Sequence, residues 1–245
     1  YDVIAGARFY GIGNEYMGVL VGAGCMGTAA ALERLRMQRS ITVGGAAVLM
    51  TTVLATLALP WWGTNVGGAI TAFAAFGLFI MLMAGYRITW GRIAVLGLAL
   101  AIAVIGLFIL DSFRAVESQS HIGQTVKLIR ENGVQELFNI AYRKISMNIR
   151  LFKYTIWTRV FLSSLFAMII LFYRPKGLFK DVKERYPALH HGFISGMVGS
   201  AVAFAVNDSG IVAAATCMIY VGLSFIFVIA QQIDDFERSK DIIAR

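Results

Sequence analysis

Polar residues that could do chemistry stand at the edges of long apolar runs. Arg8, Asn14 and Glu15 open the first run, and Thr64 and Asn65 lie inside Gly63-Thr-Asn-Val-Gly-Gly68. His121 begins a polar stretch, Lys144 and Asn148 sit one helical turn apart, and Asn207, Asp208 and Ser209 interrupt the last apolar region. Arg8 offers a forked charge and Lys144 a point charge, the two ways proteins hold phosphate. Asn14, Asn65, Asn148, Asn207 and Ser209 supply neutral donors and acceptors that orient a bound group. Glu15 and Asp208 are the candidate general acid/base pair or hard-cation ligands, and His121 a proton carrier.

Each residue also has a plainer reading. Asn207-Asp208-Ser209-Gly210 is a run of four turn formers, so loop chemistry alone accounts for it. Glu15 follows Gly11, Gly13 and Asn14, as at an exposed helix start, while His121 reads more simply as an interfacial histidine. Arg143 and Lys144 suit lipid headgroups, and the glycines of 63–68 serve close helix packing as readily as a phosphate loop. No metal site is expected, because three histidines and two cysteines, Cys25 and Cys217, show no ligand spacing. No cofactor is implied.

The elements that must position these residues follow from composition. Of 245 residues, 58% are hydrophobic and only 15% charged, whereas soluble domains run at about 45–50% and 25%. Mean hydropathy is +0.70. A soluble fold could not cover that much apolar surface, which excludes a cytosolic enzyme, a disordered chain and a disulfide scaffold. A bilayer span takes about 20 apolar residues, and seven runs qualify, near 12–32, 41–60, 67–85, 93–111, 156–173, 189–206 and 211–230. The expected fold is all-α, a polytopic helical membrane protein of about seven transmembrane helices. The sixth run is short, so the Asn207–Gly210 turn could dip into the membrane as a broken helix.

The stretch 112–155 reads as an outer amphipathic insertion within a single transmembrane domain, 1–245. Ser120 caps a short helix, Asn132-Gly133 ends it, and a second helix over about 134–153 puts Val134, Leu137, Phe138, Ala141, Ile145 and Phe152 on one face. Such a pair lies in the interface with its apolar side down.

The formal charge of +8 comes from 22 Lys+Arg against 14 Asp+Glu. Spread between apolar runs, these charges serve topology and anionic lipids, with no nucleic-acid partner expected. Arg34, Arg36 and Arg39, then Arg87 and Arg92, then the cluster at 174–185, and finally the tail fall on one side of seven spans. The positive-inside rule makes that side cytoplasmic, with the N-terminus outside. The polar residues above then gather on the outer side. A charge in hydrocarbon costs about 2.5–3.5 kcal/mol, so such groups line a cavity or pair up.

Five strings occur in order: Ala7-Arg-Phe-Tyr-Gly-Ile-Gly-Asn-Glu15, Thr64-Asn-Val-Gly-Gly68, Ser120-His-Ile-Gly123, Arg143-Lys-Ile-Ser-Met-Asn148 and Asn207-Asp-Ser-Gly-Ile211. The set resembles the C-terminal polytopic membrane region of bacterial envelope proteins of Gram-positive-type lineages, which carry an alkaline-phosphatase-superfamily domain outside the membrane. That domain, with its Asp and His metal ligands, is absent from these residues, and Tyr1 as first residue fits the C-terminal part of a longer chain. The resemblance implies a multi-pass protein of the cytoplasmic membrane. Its expected partners are membrane lipids, an anionic lipid-linked envelope precursor or phospholipid headgroup, and a phosphatase- or phosphotransferase-like domain. A transporter or flippase, and a structural subunit or anchor, are the alternatives.

Overall fold

A computed structural model describes residues 11–35, 38–59, 61–112, 134–173 and 178–243, and these are helical with no strand among them. The helices, in chain order, are α1 (Asn14–Leu35), α2 (Arg39–Ala58), α3 (Val66–Met83), α4 (Trp90–Ser112), α5 (Val134–Tyr154), α6 (Ile156–Tyr173), α7 (Leu178–Arg185), α8 (Pro187–Val206) and α9 (Gly210–Ile243). In lipid no water can satisfy a free N–H or C=O, so long apolar runs have little choice but helix. Six of these helices are long and apolar enough to cross a membrane, or seven if α5 and α6, which meet at 89°, count as one broken span. The chain is a multi-pass membrane protein.

Six of the seven expected spans recur within a few residues at each end, whereas the last helix, α9, runs on to Ile243, well past the expected 230. The break is elsewhere than expected: α8 begins at Pro187 and runs 20 residues, a full crossing, so the 207–210 turn needs no dip. The sharp bend is instead at Thr155, where the Thr158 hydroxyl donates to the Phe152 carbonyl at 2.9 Å and stitches α5 to α6. The helix proposed to start at Ser120 lies outside the described residues. Its partner α5 is present and leaves Phe138, Ile145 and Phe152 exposed along one side, as an interfacial helix would.

At the centre, α1 packs on α9 and α8, and α8 also packs on α3 and α9. The middle of this bundle is Met17, Val21, Cys25, Phe79, Phe193, Met218 and Val221, all fully buried. Both cysteines are free and buried among these side chains. Phe172, Phe193 and Phe225 form an aromatic cluster with centroids 5.2–5.9 Å apart. By contrast α4 rests chiefly on α3, with Trp90, Val95, Leu98 and Ile102 turned outward.

Lipid offers no hydrophobic force to press helices together, so close approach has to supply the contact energy. The Gly18/Gly22 pair does this: a side chain at Gly18 would strike the Thr216 hydroxyl and the Ala213 carbonyl of α9, and one at Gly22 the Cys217 carbonyl. Gly192, Gly196 and Gly199 of α8 similarly face Ala29, Val221 and Ala75.

Gly18→Val should therefore lower the thermal midpoint of the detergent-purified protein, at an overpacking cost of about 1–3 kcal/mol. Gly97→Val on α4, where a Cβ meets nothing within 4 Å, should leave the midpoint unchanged.

Candidate functional site

Helix breaks at one end of the bundle are closed by four asparagines. Asn65 precedes α3 and caps it, its Oδ1 accepting from the Gly68 N–H at 2.7 Å. Its Nδ2 donates to the Ile12 carbonyl at 2.9 Å and to Asn14 Oδ1 at 3.3 Å. That fastens the segment leading into α1 onto the α2–α3 turn, where Ile12 N–H also reaches the Gly63 carbonyl at 2.8 Å. The approach is tight enough that Gly11, at φ 85°, has no room for a side chain against the Gly63 carbonyl. Neighbouring Thr64 holds φ 49°, a left-handed conformation uncommon outside glycine.

From Asn14 the network crosses to the start of α9, its Nδ2 donating to Ser209 Oγ at 2.7 Å. Asn207, buried at the end of α8, donates to Thr71 Oγ1 at 3.4 Å and to the Ala203 carbonyl at 2.9 Å. Its carboxamide lies against the Gly67 backbone, where any side chain would displace it. Asn148 comes from the interfacial helix α5 and treats the 207–210 turn as a second strand would. Its Nδ2 donates to the Asn207 carbonyl and its Oδ1 accepts from the Gly210 N–H, both at 2.9 Å.

So the structure brings Asn14, Asn65, Asn148, Asn207 and Ser209 together at one end. Glu15 stands in the first turn of α1, and Asp208 is exposed beside Ser209. Arg8 and His121, and the side chain of Lys144, lie outside what is described. Each asparagine amide has two donor sites and one acceptor oxygen. The four spend most of that capacity on backbone, on one another and, through Asn14, on Ser209. The glycines of 63–68 are likewise occupied with packing, Gly67 against Asn207 and Gly68 against Met17.

Among the described helices α1, α3, α6 and α9 begin at this end, and each directs roughly half a positive charge outward from its first turn. Glu15 and Asp208 sit where that field favours a carboxylate. Where α5 meets the end of α8, a cavity of about 330 Å³ is lined by Ile145, Asn148, Phe152 and Lys153 of α5 and by Phe204 of α8. Lys153 is a lining residue that the sequence did not single out. Its signal was the i, i+5 spacing from Asn148, which means little until α5 is docked against α8.

Other polar residues concentrate at the opposite end. Glu33 Oε2 accepts from the Ala188 and Leu189 N–H groups at 2.8 and 3.2 Å, capping α8 from α1. Arg39 Nε donates to the Met83 carbonyl at 3.2 Å. Two histidines in the first turns of α8 are half-buried: His190 lies 5.3 Å from the Phe172 ring, and His191 Nδ1 is 3.4 Å from Met83 Sδ. Among the described residues no group of three metal-ligating side chains occurs.

Asn65→Ala should destabilise the protein by about 1–3 kcal/mol, since it orphans the Ile12 carbonyl and the Gly68 N–H together. Asn65→Asp, which keeps the cap acceptor, should cost less, and chemical denaturation in mild detergent measures the difference. No protein-family model matches the chain, and neither curated proteins nor solved structures yield a match, so its own residues carry the functional reading.

Proposed function

We propose that the asparagine end of the bundle receives the phosphate-bearing headgroup of an anionic lipid-linked envelope substrate or phospholipid. It would hold that headgroup for a phosphatase- or phosphotransferase-like domain working at the outer membrane surface. The observation that carries this reading is the cavity between α5 and α8, where Asn148 and Lys153 stand among the apolar side chains Ile145, Phe152 and Phe204. A few polar groups set in an apolar lining suit an amphiphile. The converging starts of α1, α3 and α9 favour negative charge at the same end.

Within this reading Lys153, with Arg8 and Lys144, neutralises the phosphate. The amide network keeps Ser209 and the two carboxylates in register. Glu15 or Asp208 acts as the acid/base group or holds a cation, and His121 carries a proton. The fold suits membrane retention of the substrate's lipid tail, because α5 lies across the bundle end with exposed apolar side chains.

In a strain lacking the gene, Asp208→Asn and Glu15→Gln are each expected to fall well short of wild-type rescue of the envelope phenotype at equal membrane levels. General acid/base groups commonly contribute a factor of about 10²–10⁴. Full rescue by both variants would overturn the site. The 89° break at Thr155 favours a second reading, transport. It requires a cysteine at position 208 to become accessible from each side in turn, whereas labelling from one side only supports the headgroup site.

A further inference from the structure

A hydroxyl buried within a helix commonly satisfies itself on the turn that precedes it. Thr42, Thr71 and Thr216 each donate to the carbonyl four positions back at 2.7–3.0 Å, and Ser200 to the one three back at 2.8 Å. Thr28 on α1 and Ser195 on α8 behave differently. They are 4% and 0% exposed, and neither hydroxyl has a hydrogen-bond partner among the described residues. Leaving a buried hydroxyl unmatched costs more than one hydrogen bond returns, so such groups are found with a partner, either protein or water.

The two residues come from facing lines of α1 and α8. Ser195 lies between Gly192 and Gly199 on one face of α8. A side chain at Gly192 would meet Ala29 of α1, and one at Gly199 would meet Val21 of α1 and Ala75 of α3. Thr28 stands three positions after Cys25 and seven after Val21, on the α1 face that meets those glycines. That register sets both side chains at the seam among α1, α3 and α8. One turn from each, toward the end opposite the asparagines, the same three helices wall a cavity of about 540 Å³. Leu32 and Glu33 of α1, Leu82 and Met83 of α3, and Ala188 and His191 of α8 line it. Thr28 precedes Leu32 by four residues and Ser195 follows His191 by four, so each is the next step along its wall.

We propose that water fills this cavity and continues into the seam as far as Thr28 and Ser195, whose hydroxyls it satisfies. The bundle then has a hydrated inlet that reaches from one end toward its middle. Water suits the chemistry of the inlet, which is charged only at its mouth, where Glu33 and Arg39 stand. Its inner end is neutral, and each of the two hydroxyls there can both donate and accept. Beyond Ser195 the seam closes, because Gly199 brings α8 so near Ala75 that no methyl group would fit. The inlet shares no residue with the headgroup cavity, and it stands whether or not the asparagine end has the function given above.

Two measurements on the protein in mild detergent test the inlet. Thr28→Val keeps the shape of the side chain and removes its hydroxyl. With water on that hydroxyl, the thermal midpoint should fall by about 2–4 °C, and Ser195→Ala should lower it similarly. In a dry seam the same substitutions would only remove an unpaired group, so an unchanged or raised midpoint in either variant would overturn the inlet. The second measurement is thiol reactivity. Ser195→Cys places a thiol at the inner limit of the inlet, and the fully buried Cys25 and Cys217 serve as internal references. The small water-soluble reagent methanethiosulfonate ethylammonium should add once to Ser195→Cys, read by intact mass, and not at all to the wild type. No addition, or addition of three equivalents together, would overturn the proposal.

Discussion

A single carboxamide, that of Asn65, ties the entry of α1 to the start of α3 and, through Asn14, to the start of α9. It caps α3 through the Gly68 N–H, holds the Ile12 carbonyl at the entry to α1, and orients Asn14 toward Ser209 at the start of α9. The constraint behind it is general: where a helix stops near lipid, its unpaired groups find partners in the protein or cost several kcal/mol each. Water is scarce at these breaks, so side-chain amides, which carry a donor and an acceptor at once, take its place. Asn148 does the same for the 207–210 turn from a different helix, and Glu33 for the start of α8 at the far end. The ends of the bundle are built by hydrogen bonds and its middle by contact.

That division explains why polar residues so conspicuous in sequence are mostly spoken for in space. Asn14, Asn65, Asn148 and Asn207 look like ligands for a headgroup when read singly. Together they form a scaffold that joins the helix breaks of one bundle end, with Asn14, Asn65 and Asn148 each engaged through both the nitrogen and the oxygen of the amide.

The small residues make the complementary point. Gly18 and Gly22 allow the backbone of α1 to reach that of α9, and Gly67 admits the Asn207 side chain. The tight contacts of the middle and the amide lattice of the end are thus coupled. A helix held away by a methyl group at Gly18 would also carry Asn14 away from Ser209. Packing and site geometry share the same residues on α1, α8 and α9, whereas α4, lying outside the bundle, takes part in neither.

Sequence alone determined that the chain is helical and multi-pass, and nearly where each helix lies. An apolar run of bilayer length has one backbone solution, and Pro60 and Pro175 stand after the second and fifth runs, as helix breakers do. Sequence also singled out the misplaced polar residues, and the cap at Asn65 follows from residue type and position. It did not reveal which of them touch. Asn14 and Ser209 are 195 positions apart, and their contact depends on how α1 seats on α9. Nor could the capping of α8 by Glu33 be read from spacing. Helices that are apolar on every side carry almost no periodic record of which face meets which neighbour. That choice was left to the close fit of small residues, and only the folded chain makes it.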